Sequence, residues 1–570
     1  MKNIPNRLSM PRQLKKTLVC LLLILLLITI YGQIRHHDYI HYDDHLIMMD
    51  SPILTRSLSP ANIYRAFIDR PHHVPYRIPL TTITHMTKWH FFGDDFGLHH
   101  LVSLFFHALT VILIFFLIER ATSAITPAAF AAALVAVHPL NVEAVAWLTN
   151  INTIMADFFL VATLLAYVYY TKRPGLKRYF FLFIPFGLGL MGKPTLIVGP
   201  FLMLALDYWP LLRYKQKPEP PGHVFLIIEK LPFLLIALGP YLIELISKPE
   251  KIVAGIQSGG GIHPEGLRYL FWPLIKGVLP IDLTICRAYP PAGSPGEAVI
   301  LLVLLGLVTL VIIWLSRRYP SIGFGWFWYL AAISPIIIML VGSGRPIADR
   351  HTYIPMAGIF MAIPYFLHSI FPHGTKGRVM VSILGIAVLV LLTVLSTRQV
   401  KYWQNSQTVF EHAVQINPEN TRARTNLGDV FLRSRQIDQA IAHYTWSLKT
   451  APDNARIHAK LAYALSQQGE NQAARRHYEQ ALALTPDYAV AHHNFADFLA
   501  DEGKIEKAIN HYYLALQTDP GLHQTHNNLA VLLSRQGKYE RARQHLYQAL
   551  RIKPDYKTAR ENLENLPASP

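Results

Sequence analysis

Long apolar runs divided by short polar breaks fill residues 1–397, and short amphipathic stretches with evenly spaced small and aromatic positions fill the remainder. A helix needs about 20 apolar residues to cross a bilayer. Runs close to that length lie at 16–31, 98–118, 126–147, 153–171, 178–191, 194–210, 223–246, 296–316, 321–341, 352–371 and 378–396, which predicts about eleven spans. The segment 266–281 is shorter and broken by Pro273 and Gly277, the pattern of an interfacial or re-entrant piece. A soluble core can absorb one such run, but not eleven in series. The first run follows basic residues, as a signal peptide would. No small-residue cleavage site comes after it and Cys20 lies inside it, so it reads as an uncleaved span.

The second half has a different period. Pro418, Pro452, Pro486, Pro520 and Pro554 stand 34 residues apart, and Ala440, Ala474, Ala508 and Ala542 keep the same step. So do Gly469, Gly503 and Gly537, and Tyr444, Tyr478 and Tyr512. Small residues where helices cross, with proline at the junction of a 34-residue unit, are the tetratricopeptide signature. The reading is all-α throughout: a multi-span membrane domain over 1–397 and a linker with a half repeat over 398–420. Four repeats occupy 421–556, then a short tail 557–570. Stacked helix pairs of this kind form a concave groove for peptide or protein ligands, or a scaffold for assembly.

Composition alters this picture only through charge. The chain has 53 Lys and Arg against 36 Asp and Glu, a formal +17. In isolation that suggests a nucleic-acid partner. With the N-terminus in the cytoplasm, however, 17 of the basic residues fall in the inner segments 1–16, 119–120, 172–178, 211–222, 317–320 and 372–378, beside only Glu119 and Glu219. That alternation is the positive-inside rule. It accounts for much of the excess, removes the nucleic-acid reading and places the repeats outside the cytoplasm. Short loops and a compact N-terminus favour a bacterial inner membrane, with periplasmic repeats, over the endoplasmic reticulum.

The outer segment 32–97 is too long for a mere connector. It carries the acidic pair Asp43-Asp44 about a dozen residues past the first span, and ten histidines when His99 and His100 are included. Adjacent carboxylates suit different tasks: one a base, the other a positioning group or a cation ligand. Solvated loop acids are the plainer alternative. The same topology brings Tyr76, Arg77, His138, Glu143, Lys193, Arg345 and Asp349-Arg350-His351 to the outer face, where ionisable groups at membrane depth generally serve a site. His107 reads as a helix-packing histidine. The adjacent pairs His36-His37 and His72-His73 lack metal-ligand spacing, so no metal is assigned, although the acid pair could recruit a divalent cation. Cys20 and Cys286 give no redox framework.

Asp43-Asp44, the string Tyr76-Arg77-Ile-Pro79, the helix His100 to His107, His138-Pro with Glu143, and Asp349-Arg350-His351-Thr-Tyr353-Ile-Pro355 occur in that order before the repeats. In order and in domain arrangement the chain resembles the transmembrane and tetratricopeptide-repeat-containing O-mannosyltransferases, within the C-type glycosyltransferase superfamily. Two positions depart from the family pattern: Pro194 follows Lys193 where an acid is usual, and Asn141 replaces a polar His or Thr. The resemblance implies a polyprenyl-phosphate sugar donor, mannose in particular, and a protein hydroxyl as acceptor, with no other cofactor.

Such a reaction needs a base for the attacking hydroxyl. Asp43 is the first choice, with Asp44 as positioner or alternative. It also needs cations for the leaving phosphate; Arg350 and Arg77 are the best placed, with Lys193 behind them and His138, Glu143 and Tyr76 completing the expected binding set. Two other classes stay open: a non-catalytic membrane-anchored repeat scaffold for envelope or secretion assembly, and a lipid-linked sugar transporter. The topology itself is testable. A single cysteine placed in a repeat, in a background lacking Cys20 and Cys286, should react with an impermeant maleimide only from the extracytoplasmic side, and labelling from the cytoplasm would reverse the orientation.

Overall fold

A computed structural model describes residues 10–42, 44, 58–69, 77–215, 221–247, 264–287, 293–343, 347–371 and 375–567. These residues are helical with no strand among them, as expected of backbone that must satisfy its own hydrogen bonds in lipid. They form two compact units, Met1–His412 and Ala413–Pro570.

In the first unit, nine helices among the described residues are long and apolar enough to cross a membrane. The pair Ile125–Val137 and Pro139–Ala146, bent by 54° where His138 precedes proline and so leaves the α region, is a broken span or a re-entrant loop. Helix Leu148–Lys172 has 67% of its apolar window buried and lies at the centre, whereas Pro295–Ser316 has 6% and Val379–Lys401 has 11%. The last two therefore present nearly all their apolar surface outward, to lipid.

The count can be checked by parity. Gln33 Nε2 donates to the Thr397 carbonyl (3.1 Å), Asp38 N–H to the Gln404 carbonyl (2.9 Å) and His41 N–H to Ser406 Oγ (2.7 Å). The chain thus leaves its first and last spans on the same face, which requires an odd number of crossings. Nine and eleven both meet that requirement. The predicted run 178–191 falls on Leu176–Phe181 with Phe183–Gly192, a short helix pair interrupted at Leu182.

The opposite face is held by charge. Arg12 and Lys16 both pair with buried Glu119, at 2.7 and 2.9 Å. Nearby in the same unit, Arg213 pairs with Glu229 (2.6 Å), Lys230 with Asp207 (2.5 Å), and Tyr167 and Tyr170 donate to those carboxylates (2.6 and 2.8 Å). All four charged residues are buried. Removing one member of such a network costs about 3–5 kcal/mol, because the other is left charged and unpaired.

The second unit is a stack of helix pairs. Thr421–Arg433 packs with Ile437–Thr450, Ala455–Gln468 with Asn471–Leu484, Ala489–Asp501 with Ile505–Thr518, and His523–Arg535 with Tyr539–Ile552, while Lys557–Glu564 comes after the last. Ala440, Ala474, Ala508 and Ala542 are fully buried at the crossings. A second periodic device ties the last three pairs. His458 Nε2 donates to the Pro452 carbonyl (2.8 Å), which leaves its Nδ1 to accept from His477 Nδ1 (2.9 Å). His492 with His511, and His526 with His545, repeat the arrangement at the same 2.9 Å.

Gly469, Gly503 and Gly537 end their helices with φ of +87°, +76° and +74°. In the first repeat the equivalent residue is Arg435, held at φ +58°. A side chain there clashes with its own backbone, at a cost of about 1 kcal/mol. Arg435→Gly should therefore stabilise the repeat unit by about 1 kcal/mol, read as a higher melting temperature. An unchanged or lower value would show that the arginine offsets its own strain.

Candidate active site on the face where the first and last spans emerge

Where the first span ends, a 3-10 turn (Gly32–His36) turns the chain along the membrane face. Asp44 fastens the stretch beyond this turn: its Oδ2 accepts from the Ile40 N–H (2.8 Å) and its Oδ1 from the Thr149 N–H (3.1 Å), with the side chain 1% exposed. Both oxygens are committed to backbone, so this carboxylate ties the loop to the start of helix Ile151–Lys172. Asp43 and Tyr76 lie outside the described residues, as does Arg345.

A second cluster forms where the chain re-enters the membrane beside Thr149. Glu143, buried on the short helix Val142–Ala146, accepts from the Asp349 N–H (2.9 Å) through Oε2 and pairs with Arg350 through Oε1. The Arg350 guanidinium stands 4.8 Å above the Trp147 ring. Asp349 turns the other way, to Arg287 (2.7 Å), which stacks at 3.4 Å on Trp272. Consecutive residues thus anchor to opposite charges, and the backbone at 349–350 is clamped from both sides.

Lys193 completes the cluster. It donates to Thr153 Oγ1 (2.9 Å) and, with Arg350, His351 and Asp157, lines a small cavity of about 30 Å³. That volume admits a single water. The deeper wall is apolar, from Leu160, Leu196, Ala332 and Ile354. Arg350 and Lys193 thus line one small cavity together with apolar side chains. Pro194 removes the acid expected beside Lys193, but Asp157, one turn beyond Thr153, provides a carboxylate in its electrostatic range.

Three expected site residues are placed differently. His138 is buried and occupied: Nε2 donates to the Gly277 carbonyl (3.1 Å), while Nδ1 accepts from the Leu140 N–H (3.3 Å). It caps the turn at the bend. Arg77 is exposed and donates to the Ile68 carbonyl (2.9 Å); no contact joins it to Arg350. Glu143 positions Arg350 and the 349 backbone. His107 packs between helices, its Nδ1 2.6 Å from Tyr353 Oη.

The sequence reading missed Asp157, Arg287 and Lys88. Asp157 had a signal, an acid inside the predicted run 153–171, whereas Arg287 and Lys88 lie outside the predicted spans. Lys88 is the least expected. It sits on helix Pro79–Phe92, 2% exposed, and its Nζ has no hydrogen-bond partner. His85, one turn earlier, is equally buried with neither ring nitrogen bonded. Burial lowers the Lys88 pKa to about 7, against the opposing pull of Asp44. Burial and the Lys88 charge together keep His85 neutral. Among the described residues, no group of three His, Cys, Asp or Glu converges as a metal site.

Residues 87–220 match the family model described as dolichyl-phosphate-mannose-protein mannosyltransferase. This segment contains Glu143, Asp157 and Lys193 but neither the acidic pair nor Arg350. Residues 425–489 and 487–555 match tetratricopeptide-repeat models. No curated protein shows significant similarity. Solved structures similar to the repeats include YrrB, described as a repeat protein with an unusual peptide-binding site (20% identity, 28% of this chain and 82% of that one, TM-score 0.24). Others are MamA (20%, 26% and 87%, 0.24) and the Pseudomonas aeruginosa protein pilF (23%, 25% and 65%, 0.24). The chain is therefore a membrane protein with a mannosyltransferase-like segment and a repeat domain.

The state of Lys88 gives a signed prediction. Its pKa is about 7 when folded and near 10.4 when unfolded. Between those values the unfolded chain binds the extra proton, so this residue's penalty is full below pH 7 and fades as pH rises. Lys88→Met should raise the melting temperature at pH 6.5, with the stability gain shrinking by up to about 1.4 kcal/mol per pH unit above 7. A gain independent of pH would show that Lys88 is neutral or solvated.

Proposed function

We propose that the chain is an integral-membrane glycosyltransferase that moves a sugar, mannose by the family match, from a polyprenyl phosphate to a Ser or Thr hydroxyl of a protein. The reaction takes place on the extracytoplasmic face. The observation that carries this reading is the meeting of Arg350 and Lys193 over one apolar-floored cavity, on the face where Asp44 anchors the acidic loop.

The donor's phosphate has its hydrocarbon in the bilayer and its sugar at the surface, which explains why the cations sit at the membrane edge. The acceptor oxygen attacks the anomeric carbon, the bond from that carbon to the phosphate oxygen breaks, and the phosphate leaves with the electron pair. Asp43 takes the hydroxyl proton. Asp44, committed to two backbone N–H groups, is the positioning residue that holds its neighbour in place. Arg350 stabilises the charge growing on the phosphate, and Lys193 adds to that field. Glu143 and Trp147 fix the guanidinium. Attack opposite the leaving group inverts the anomeric carbon. The repeats capture the acceptor.

Asp43→Asn should abolish sugar transfer with membrane insertion intact, and Arg350→Gln should lower it by about a hundredfold. Intact-mass profiling of envelope glycoproteins, in a deletion strain complemented with each variant, reads both effects. Wild-type glycoprotein masses with either variant would favour a non-catalytic scaffold.

A further inference from the structure

The concave side of the first two repeats has a charge balance that the domain as a whole does not. A groove of about 1540 Å³ runs across helices Thr421–Arg433, Ala455–Gln468 and Ala489–Asp501. Its charged lining is Arg433, Arg435, Arg456 and Lys460 with Asp429 and Asp453. Lys460 and Asp429 neutralise each other through two contacts of 2.5 and 2.6 Å, and Tyr444 also donates to Asp429 (2.7 Å). Three exposed arginines then face Asp453 alone. Among the described residues, none of the three forms an ion pair.

One of the three stands where a side chain is disfavoured. Arg435 holds φ +58° at the register that Gly469, Gly503 and Gly537 fill in the later repeats. Backbone strain kept in one copy of a repeat, at a residue that lines a groove, points to function rather than folding.

We infer that this end of the groove binds an extended acidic peptide segment, its Asp or Glu carboxylates held by Arg433, Arg435 and Arg456. Guanidinium forks suit carboxylates through paired N–H donors. The volume, spread over three helices, fits a length of chain rather than a single small anion. The inference rests on the repeats being the acceptor-binding half, and it narrows the acceptor to proteins that carry an extended acidic segment.

The test uses the full-length protein in detergent with two fluorescein-labelled eight-residue peptides, one alternating Glu and Ser, the other Gln and Ser. Fluorescence polarisation should show the Glu peptide binding about tenfold more tightly, with the preference falling as salt rises from 50 to 300 mM. Arg433→Gln with Arg456→Gln should remove the preference. Arg435→Gly should weaken Glu-peptide binding severalfold although it raises the melting temperature, an opposition that a purely structural arginine would not give. Equal affinity for the two peptides, or an undiminished preference in the double variant, overturns the inference. A Glu peptide that binds but receives no sugar from a polyprenyl-phosphate donor leaves the inference standing and counts against the transferase reading alone.

Discussion

Hydrocarbon does not solvate charge, and this constraint organises the membrane unit. Every ionised group near the bilayer has to find a partner within the protein, and the partners come from distant parts of the sequence. Glu119 is matched by Arg12 and Lys16, Glu143 by Arg350, Asp349 by Arg287, and Asp207 and Glu229 by Lys230 and Arg213. Because a lone buried ion costs several kcal/mol, these pairs determine which helix ends meet. Apolar burial by itself could not. Lipid is as apolar as leucine, so helices gain little by hiding such side chains from it.

The same constraint shapes the candidate site. Arg350 and Lys193 can sit at the membrane edge because Glu143, Trp147, Asp157 and Thr153 compensate them from neighbouring segments. Lys88 is the exception, a buried amine with no hydrogen-bond partner. Its lowered pKa is how the protein tolerates it: near neutral pH the group can shed the charge that its surroundings do not compensate.

Much of this was legible in the sequence, and the reason differs by half. The repeats were readable because a period of 34 is written several times over, in Pro, Ala, Gly and Tyr at once. The histidine pairs keep that period too, at 458, 492 and 526 with 477, 511 and 545, but a polar residue at a fixed step does not announce which other step it bonds to. The spans were readable from length and hydropathy alone. The site was readable only in part. Charge at membrane depth marked Glu143, Lys193 and Arg350, yet which carboxylate serves which cation is a matter of three-dimensional pairing. For that reason Pro194 looked like a missing acid, although Asp157 supplies one from another helix. His138 was misplaced because its local job, closing the turn before Pro139, leaves the same mark as a ligand-binding histidine.

The hydrogen bonds that join the two ends of the membrane unit bear on how the protein is made. Gln33 and His41 reach partners 364 and 365 residues further along the chain. At ribosomal speeds of about 5–20 residues per second, those partners emerge roughly 20 to 70 seconds after the first span has inserted. Throughout that interval the first loop lacks these contacts, and among the described residues it is held by Asp44 to Thr149, by Arg35 to Asp95 and by His100 to the Asp38 carbonyl. The contacts of Gln33, Asp38 and His41 to the last span and the residues after it therefore form last, after the whole membrane unit has been threaded. A nascent chain stalled before Ser406 would carry the cluster around Glu143 complete, yet lack the bond from His41 that fastens the start of the first loop to the end of the unit.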